Sequence, residues 1–133
     1  MINKNISSDF QKRYPILADL HTHSISSGHG SIDTITDMLK SASASGISLL
    51  GISEHGPASA GSAKASYFQN LKLASRKRFG INVLYGCELN ILNTAGDVDL
   101  ADDILSSLDY AIISIHSPFF TPYRYKDLTQ AYI

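Results

Sequence analysis

Residues 47–57 read ISLLGISEHGP. From Ile47 to Ser53 the run is apolar without alternation, which marks a strand covered on both faces. It breaks at Glu54-His55-Gly56-Pro57, a turn signal. A doubly covered strand belongs to a parallel sheet with helices outside, so the flanking segments should alternate strand and helix.

They do so in both directions. Upstream, Ile16-Leu17-Ala18-Asp19-Leu20 reads as a strand that ends at His21-Thr22-His23. A loop from Ser24 to Ser31 follows. Ile32, Ile35, Met38, Leu39 and Ala42 then recur at helical spacing, with Asp33 or Ser31 as the N-cap and Gly46 as the stop. Downstream, a helix is expected over 66–79, closed by Gly80, with Arg76, Lys77 and Arg78 as its solvated end. Ile81 to Tyr85 is the next strand and leads into Gly86-Cys87-Glu88. An excursion over 90–99, a short helix near 101–108 and a strand over 110–115 come next. That strand ends at His116-Ser117-Pro118, and a further helix begins at Lys126. Strand, loop and helix thus recur about four times, and in such α/β folds the site lies beyond the carboxyl ends of the strands.

Composition narrows the function classes. The chain has 133 residues and a net charge of -1, with 11 Lys+Arg against 12 Asp+Glu. That length suits one domain. The balance argues against a nucleic-acid or membrane-surface partner held by bulk charge. One cysteine forbids an intrachain disulfide, and Cys87 reads as a small buried residue. No apolar run reaches the roughly 18 residues of a membrane span, and the polar start lacks the apolar core of a signal peptide, so the expected location is cytoplasmic. Residues 1–14 read as an extension and 15–133 as the domain.

The chemistry concentrates at the strand ends. His21, His55, Glu88 and His116 each follow a strand, at intervals of 34, 33 and 28 residues. Each interval is about one strand–helix unit, so the four converge on one face. His21 and His23, two apart on an extended segment, point to the same side and can share one transition metal. Glu88 has two oxygens and can bridge two ions. His55 and His116 follow strands and face the same cleft. His29, between Gly28 and Gly30, suits either an exposed loop or an inward ligand. Asp19 is placed to orient an imidazole.

Asp19-Leu20-His21-Thr22-His23-Ser24, then Glu54-His55-Gly56-Pro57, Gly86-Cys87-Glu88-Leu89-Asn90 and His116-Ser117-Pro118 resemble, in that order, the motifs of the PHP (polymerase and histidinol phosphatase) superfamily. The short bacterial phosphatase branch is the nearest match, and the resemblance runs from about Tyr14 onward. It implies the N-terminal portion, about four βα units, of a distorted (β/α)7 TIM-like barrel. It implies two or three divalent metals, zinc first, with manganese or iron as alternatives. Under it, His21 and His23 share a first metal with Glu88, Glu88 bridges to a second held by His116, and His29 and His55 hold a third. His21, His23, Glu88 and His116 then act catalytically through the metals. The implied reaction is hydrolysis of a small phosphate monoester.

Two departures from the pattern stand out. Glu54 replaces the usual Asp, and each metal is short of one ligand that later strands supply in the family. The chain therefore reads as part of a longer protein, or as one that pairs with a second copy to cover open sheet edges. The competing readings are a metal-binding or regulatory module without catalysis and an amidohydrolase-like hydrolase, whose first strand also ends in His-x-His.

Overall fold

A computed structural model describes residues 12–13, 17–28, 30–116 and 125–132. Its elements in chain order are β1 (Ala18–Asp19), α1 (Ile35–Ala44), β2 (Leu49–His55), α2 (Ala65–Asn70), β3 (Lys77–Arg78), β4 (Ile81–Asn90), α3 (Asp102–Leu105), β5 (Tyr110–Ser114) and α4 (Tyr125–Ala131). A 3-10 turn over Ile25–Ser27 lies between β1 and α1, and another over Leu71–Leu73 extends α2.

β1, β2, β4 and β5 form a parallel sheet in that order. It curls into a half-barrel with helices outside, the α/β architecture of a partial TIM-like barrel. β4 is the spine. One edge pairs with β2 from Asn82 to Glu88. Along the other edge, Ile81 and Asn82 take the antiparallel β3, and Gly86 to Asn90 take β5.

Register sorts the side chains onto two faces, because successive residues of a strand alternate. The outer face carries Leu50, Ile52, Val83, Tyr85, Cys87 and Leu89, and these pack with Leu39 and Ala42 of α1 and with Phe68 and Leu71. This is the core, and Cys87 sits in it fully buried. The inner face carries Gly51, Ser53 and His55 of β2, Gly86, Glu88 and Asn90 of β4, and Tyr110, Ile112 and Ser114 of β5. The polar residues cluster at the carboxyl ends of the strands.

A lane of glycines crosses the inner face. Tyr110 of β5 lies over Gly86 and Gly51, and a Cβ at either glycine would strike its ring or hydroxyl. The Tyr110 hydroxyl donates to the Leu20 carbonyl at 2.7 Å, one residue before His21. Burial pushes its phenol up to about 12, although a hydrogen bond with Ser53 works against the shift. The hydroxyl therefore stays protonated and remains a donor at neutral pH.

Two local expectations are corrected. Thr34, not Asp33 or Ser31, caps α1. Its hydroxyl accepts the Asp37 N–H at 3.2 Å, and the Asp37 carboxylate accepts the Thr34 N–H at 3.3 Å, a reciprocal capping box. The helix expected over 66–79 ends by Leu73. Arg76 ends it by donating to the carbonyls of Leu71 and Ala74, both at 2.7 Å. Lys77 and Arg78 then become strand, because the first residues of β4 offer unpaired backbone groups on that edge. Gly80 turns this hairpin instead of stopping a helix, with φ of 81° after Phe79 at 49°.

Candidate metal centre

The site stands where β1, β2, β4 and β5 end. Glu88 is its centre and is buried. His21 Nε2 lies 3.2 Å from Glu88 Oε2, His23 Nε2 3.3 Å and His55 Nδ1 3.0 Å. His116 Nε2 lies 3.6 Å from the other oxygen, Oε1. Ser114, two residues before His116, donates to Oε1 at 2.6 Å. Four imidazoles from three strand ends therefore surround one carboxylate.

The rings also touch one another. His23 and His55 stack with centroids 4.4 Å apart, and His21 and His116 meet this pair edge-on. Neutral imidazoles can crowd in this way, whereas four imidazolium ions would repel. Burial alone pushes the Glu88 carboxyl up. The Ser114 hydrogen bond and the contacts with His21 and His55 outweigh that and hold it below its ordinary value. The carboxylate is thus ionised at neutral pH.

The donor set fits a metal. Glu88 Oε2 is buried and has no hydrogen-bond donor in good geometry among the described residues, although three imidazole nitrogens lie within 3.3 Å. Two groups have ligand atoms all within 4.8 Å: His21, His23 and Glu88, and His55, Glu88 and His116. Glu88 belongs to both, as a bridging carboxylate must. Imidazole with carboxylate suits zinc, manganese or iron.

The structure brings together five of the six residues expected as ligands. His55 stands within reach of Glu88 and His116, and the resemblance groups it with His29. His29 lies outside the described residues. Asp19 Oδ1 accepts the backbone N–H of His21 at 3.3 Å, a contact that fixes the chain rather than a ring.

Supporting residues that sequence reasoning underrated stand behind the ligands. Glu54, fully buried on the outer face, accepts from the Ser24 backbone N–H and from the hydroxyls of Ser24 and Ser27. Asp99 accepts the N–H of Asn90 and of Ala58, both at 2.9 Å, which ties the loop after β2 to the end of β4. Glu54 was expected at the turn that breaks the strand, but β2 continues through it to His55, and its one signal was the adjoining apolar run. Asp99 had no such signal, being nine residues past Asn90 in an irregular stretch.

Comparison with known proteins agrees with this geometry. The family model "PHP domain" matches residues 19–133, and the chain belongs to that family. It is similar to a probable phosphatase from Clostridium acetobutylicum, 44% identical over 115 residues, covering 86% of this chain and 47% of the relative. A probable phosphatase from Clostridium novyi is 40% identical over 113 residues, covering 85% and 46%. One from Acetivibrio thermocellus is 36% identical over 117 residues, covering 88% and 48%. The chain thus spans about half the length of the curated relatives it matches. Among the described residues no helix is long and apolar enough to cross a membrane.

Proposed function

We propose that this chain carries the metal-binding N-terminal half of a phosphatase that hydrolyses a small phosphate monoester. The observation that carries the reading is the buried Glu88 carboxylate, ringed by four imidazoles and lacking a well-aligned donor at Oε2. The phosphatase names of the relatives point the same way. Residues 15–133 are the domain segment in this reading. His21, His23 and Glu88 hold one divalent metal, and His55 and His116 with Glu88 hold a second, zinc first among zinc, manganese and iron. His29 is reserved for a third.

Divalent metals at these positions supply Lewis-acid polarisation of a phosphoryl oxygen and a water of lowered pKa. The chain's own part is to place the donors. Glu88 offers Oε2 toward the His21–His23 group and Oε1 toward His116. Ser114 fixes Oε1. Ligation needs neutral imidazoles, so binding and hydrolysis weaken in acid as the histidines protonate.

The test is metal content of the purified chain after loading with Zn2+ or Mn2+, measured beside hydrolysis of p-nitrophenyl phosphate. His21→Ala should lose metal and hydrolysis together. Hydrolysis that survives His21→Ala unchanged overturns the reading. Metal bound without hydrolysis makes the chain a metal-binding module and overturns catalysis by this half alone.

A further inference from the structure

Two chains of hydrogen bonds lead from the protein interior to the back of two imidazoles, and each fixes the direction of every proton along it.

The first runs from Glu54 through Ser27 to His23. Ser27 is buried, and its hydroxyl oxygen has three partners: the Glu54 carboxylate, the His55 backbone N–H at 3.2 Å and His23 Nδ1 at 3.0 Å. A hydroxyl has one proton and two lone pairs. Glu54, accepting as a carboxylate, takes the proton. The His55 N–H can only donate and occupies one lone pair. The remaining lone pair faces His23 Nδ1, so that nitrogen must carry the hydrogen.

The second runs from Asp99 through Asn90 to His116. Asn90 is fully buried, with Oδ1 2.7 Å from His116 Nδ1. Its Nδ2 donates to Asp99 Oδ2 at 2.5 Å. The reverse amide orientation would set Oδ1 against a carboxylate that already accepts two backbone N–H groups. Asp99 therefore decides which end of the amide faces His116. Oδ1 can only accept, so His116 Nδ1 must also carry the hydrogen.

We propose that Glu54 with Ser27 and Asp99 with Asn90 are positioning pairs that hold a hydrogen on Nδ1 of His23 and of His116, so that Nε2, the nitrogen on the Glu88 side, is the one left for a metal. Free imidazole favours the other tautomer, so the protein has to impose this one. Both relays start from a carboxylate and pass through one neutral side chain, although they arise from different strands. They also give Glu54 a role that its burial within an apolar strand otherwise leaves unexplained. His55 presents Nδ1 instead, and the rule does not extend to it. The consequence for metal binding rests on the reading of the site as a metal centre, while the tautomers do not.

The experiment is long-range 1H–15N correlation on the metal-free chain with 15N-labelled histidine, in mildly alkaline buffer where imidazoles are neutral. For His23 and His116, Nδ1 should show the protonated-nitrogen signature. Ser27→Ala should release His23 toward the Nε2–H tautomer without changing His116. Asp99→Asn should do the converse, and Ser27→Thr, which keeps the hydroxyl, should restore His23. Competition against a chelator should show a 10- to 100-fold loss of Zn2+ affinity in Ser27→Ala. An Nε2–H tautomer at either ring in the unmutated chain overturns the proposal, and that result needs no variant to fold. The expected tautomers in a chain that binds no Zn2+ would uphold the relays and overturn the metal reading instead.

Discussion

Glu88 concentrates most of the site's electrostatics in one side chain. Its ionisation is favoured in the folded state by Ser114, His21 and His55, against the opposing effect of burial. Its folded pKa is therefore depressed below 4.5. A depressed carboxylate contributes stability that is present above the unfolded pKa and lost as pH falls through the folded one. Glu88→Gln keeps the shape and an acceptor for Ser114 but removes the charge. It should flatten the loss of stability of the metal-free chain below about pH 4.5, read from urea midpoints across the acid range. Equal acid slopes in the two proteins would show that the imidazole cluster does not depend on this charge. In the same variant, Zn2+ affinity should fall by more than the 10- to 100-fold cost of losing a merely supporting partner. The clustering of these side chains was legible in the sequence because each lies at or near the end of an apolar run, so spacing alone put them on one face. The relay partners Ser27, Asn90 and Asp99 were not, because small polar residues are common in loops and their meaning here lies in which lone pair faces which proton.

Among the elements, the parallel strands were legible because runs such as Ile47–Ser53 and Ile81–Tyr85 are mostly apolar, with only Ser48, Ser53 and Asn82 polar. The helix expected over 66–79 was misread for a physical reason. A basic tail after apolar positions looks like a helix end, yet the open edge of β4 made strand pairing by Lys77 and Arg78 the better use of those backbone groups. Spacing could not reveal the glycine lane either. Gly51 and Gly86 carry no sequence signal of this role, but they clear the path for Tyr110 to cross the sheet and hold the Leu20 carbonyl beside the candidate metal centre. At Gly86 an added Cβ would lie 2.7 Å from the Tyr110 carbonyl oxygen, which is backbone and cannot swing aside. Gly86→Ala should thus destabilise the chain by about 1–3 kcal/mol, the usual cost of overpacking. Tyr110→Phe, losing the hydrogen bonds of its hydroxyl to the Leu20 carbonyl and Ser53, should cost about 1–2 kcal/mol. Denaturant midpoints measure both. A Gly86→Ala protein as stable as the parent would mean that the sheet relaxes around Tyr110 and that the lane is not a packing constraint.

At the scale of the whole molecule, a half-barrel has two open sheet margins among the described residues. Ile113 on β5 is 52% exposed and Leu20 beside β1 is 41% exposed, large apolar residues at opposite margins of one sheet. The backbone of β5 pairs with β4 and with no other described strand. Unpaired edges bearing apolar side chains seek a partner strand. The site shares the exposure, since the His21 side chain is 52% accessible while that of Glu88 is 6%. A closing layer would therefore cover the sheet margin and shield the His21, His23 and Glu88 group together. In the relatives, the half of their length that this chain does not match is one source of such a layer, and a second copy of the chain is another. The 133-residue chain alone should consequently self-associate. In sedimentation velocity at tens of micromolar it should run heavier than a monomer, and Ile113→Lys, which sets a charge on the β5 margin, should return it to monomer. A monomeric parent would show that its margins are protected without a partner. An unchanged assembly in Ile113→Lys would place the contact elsewhere than β5.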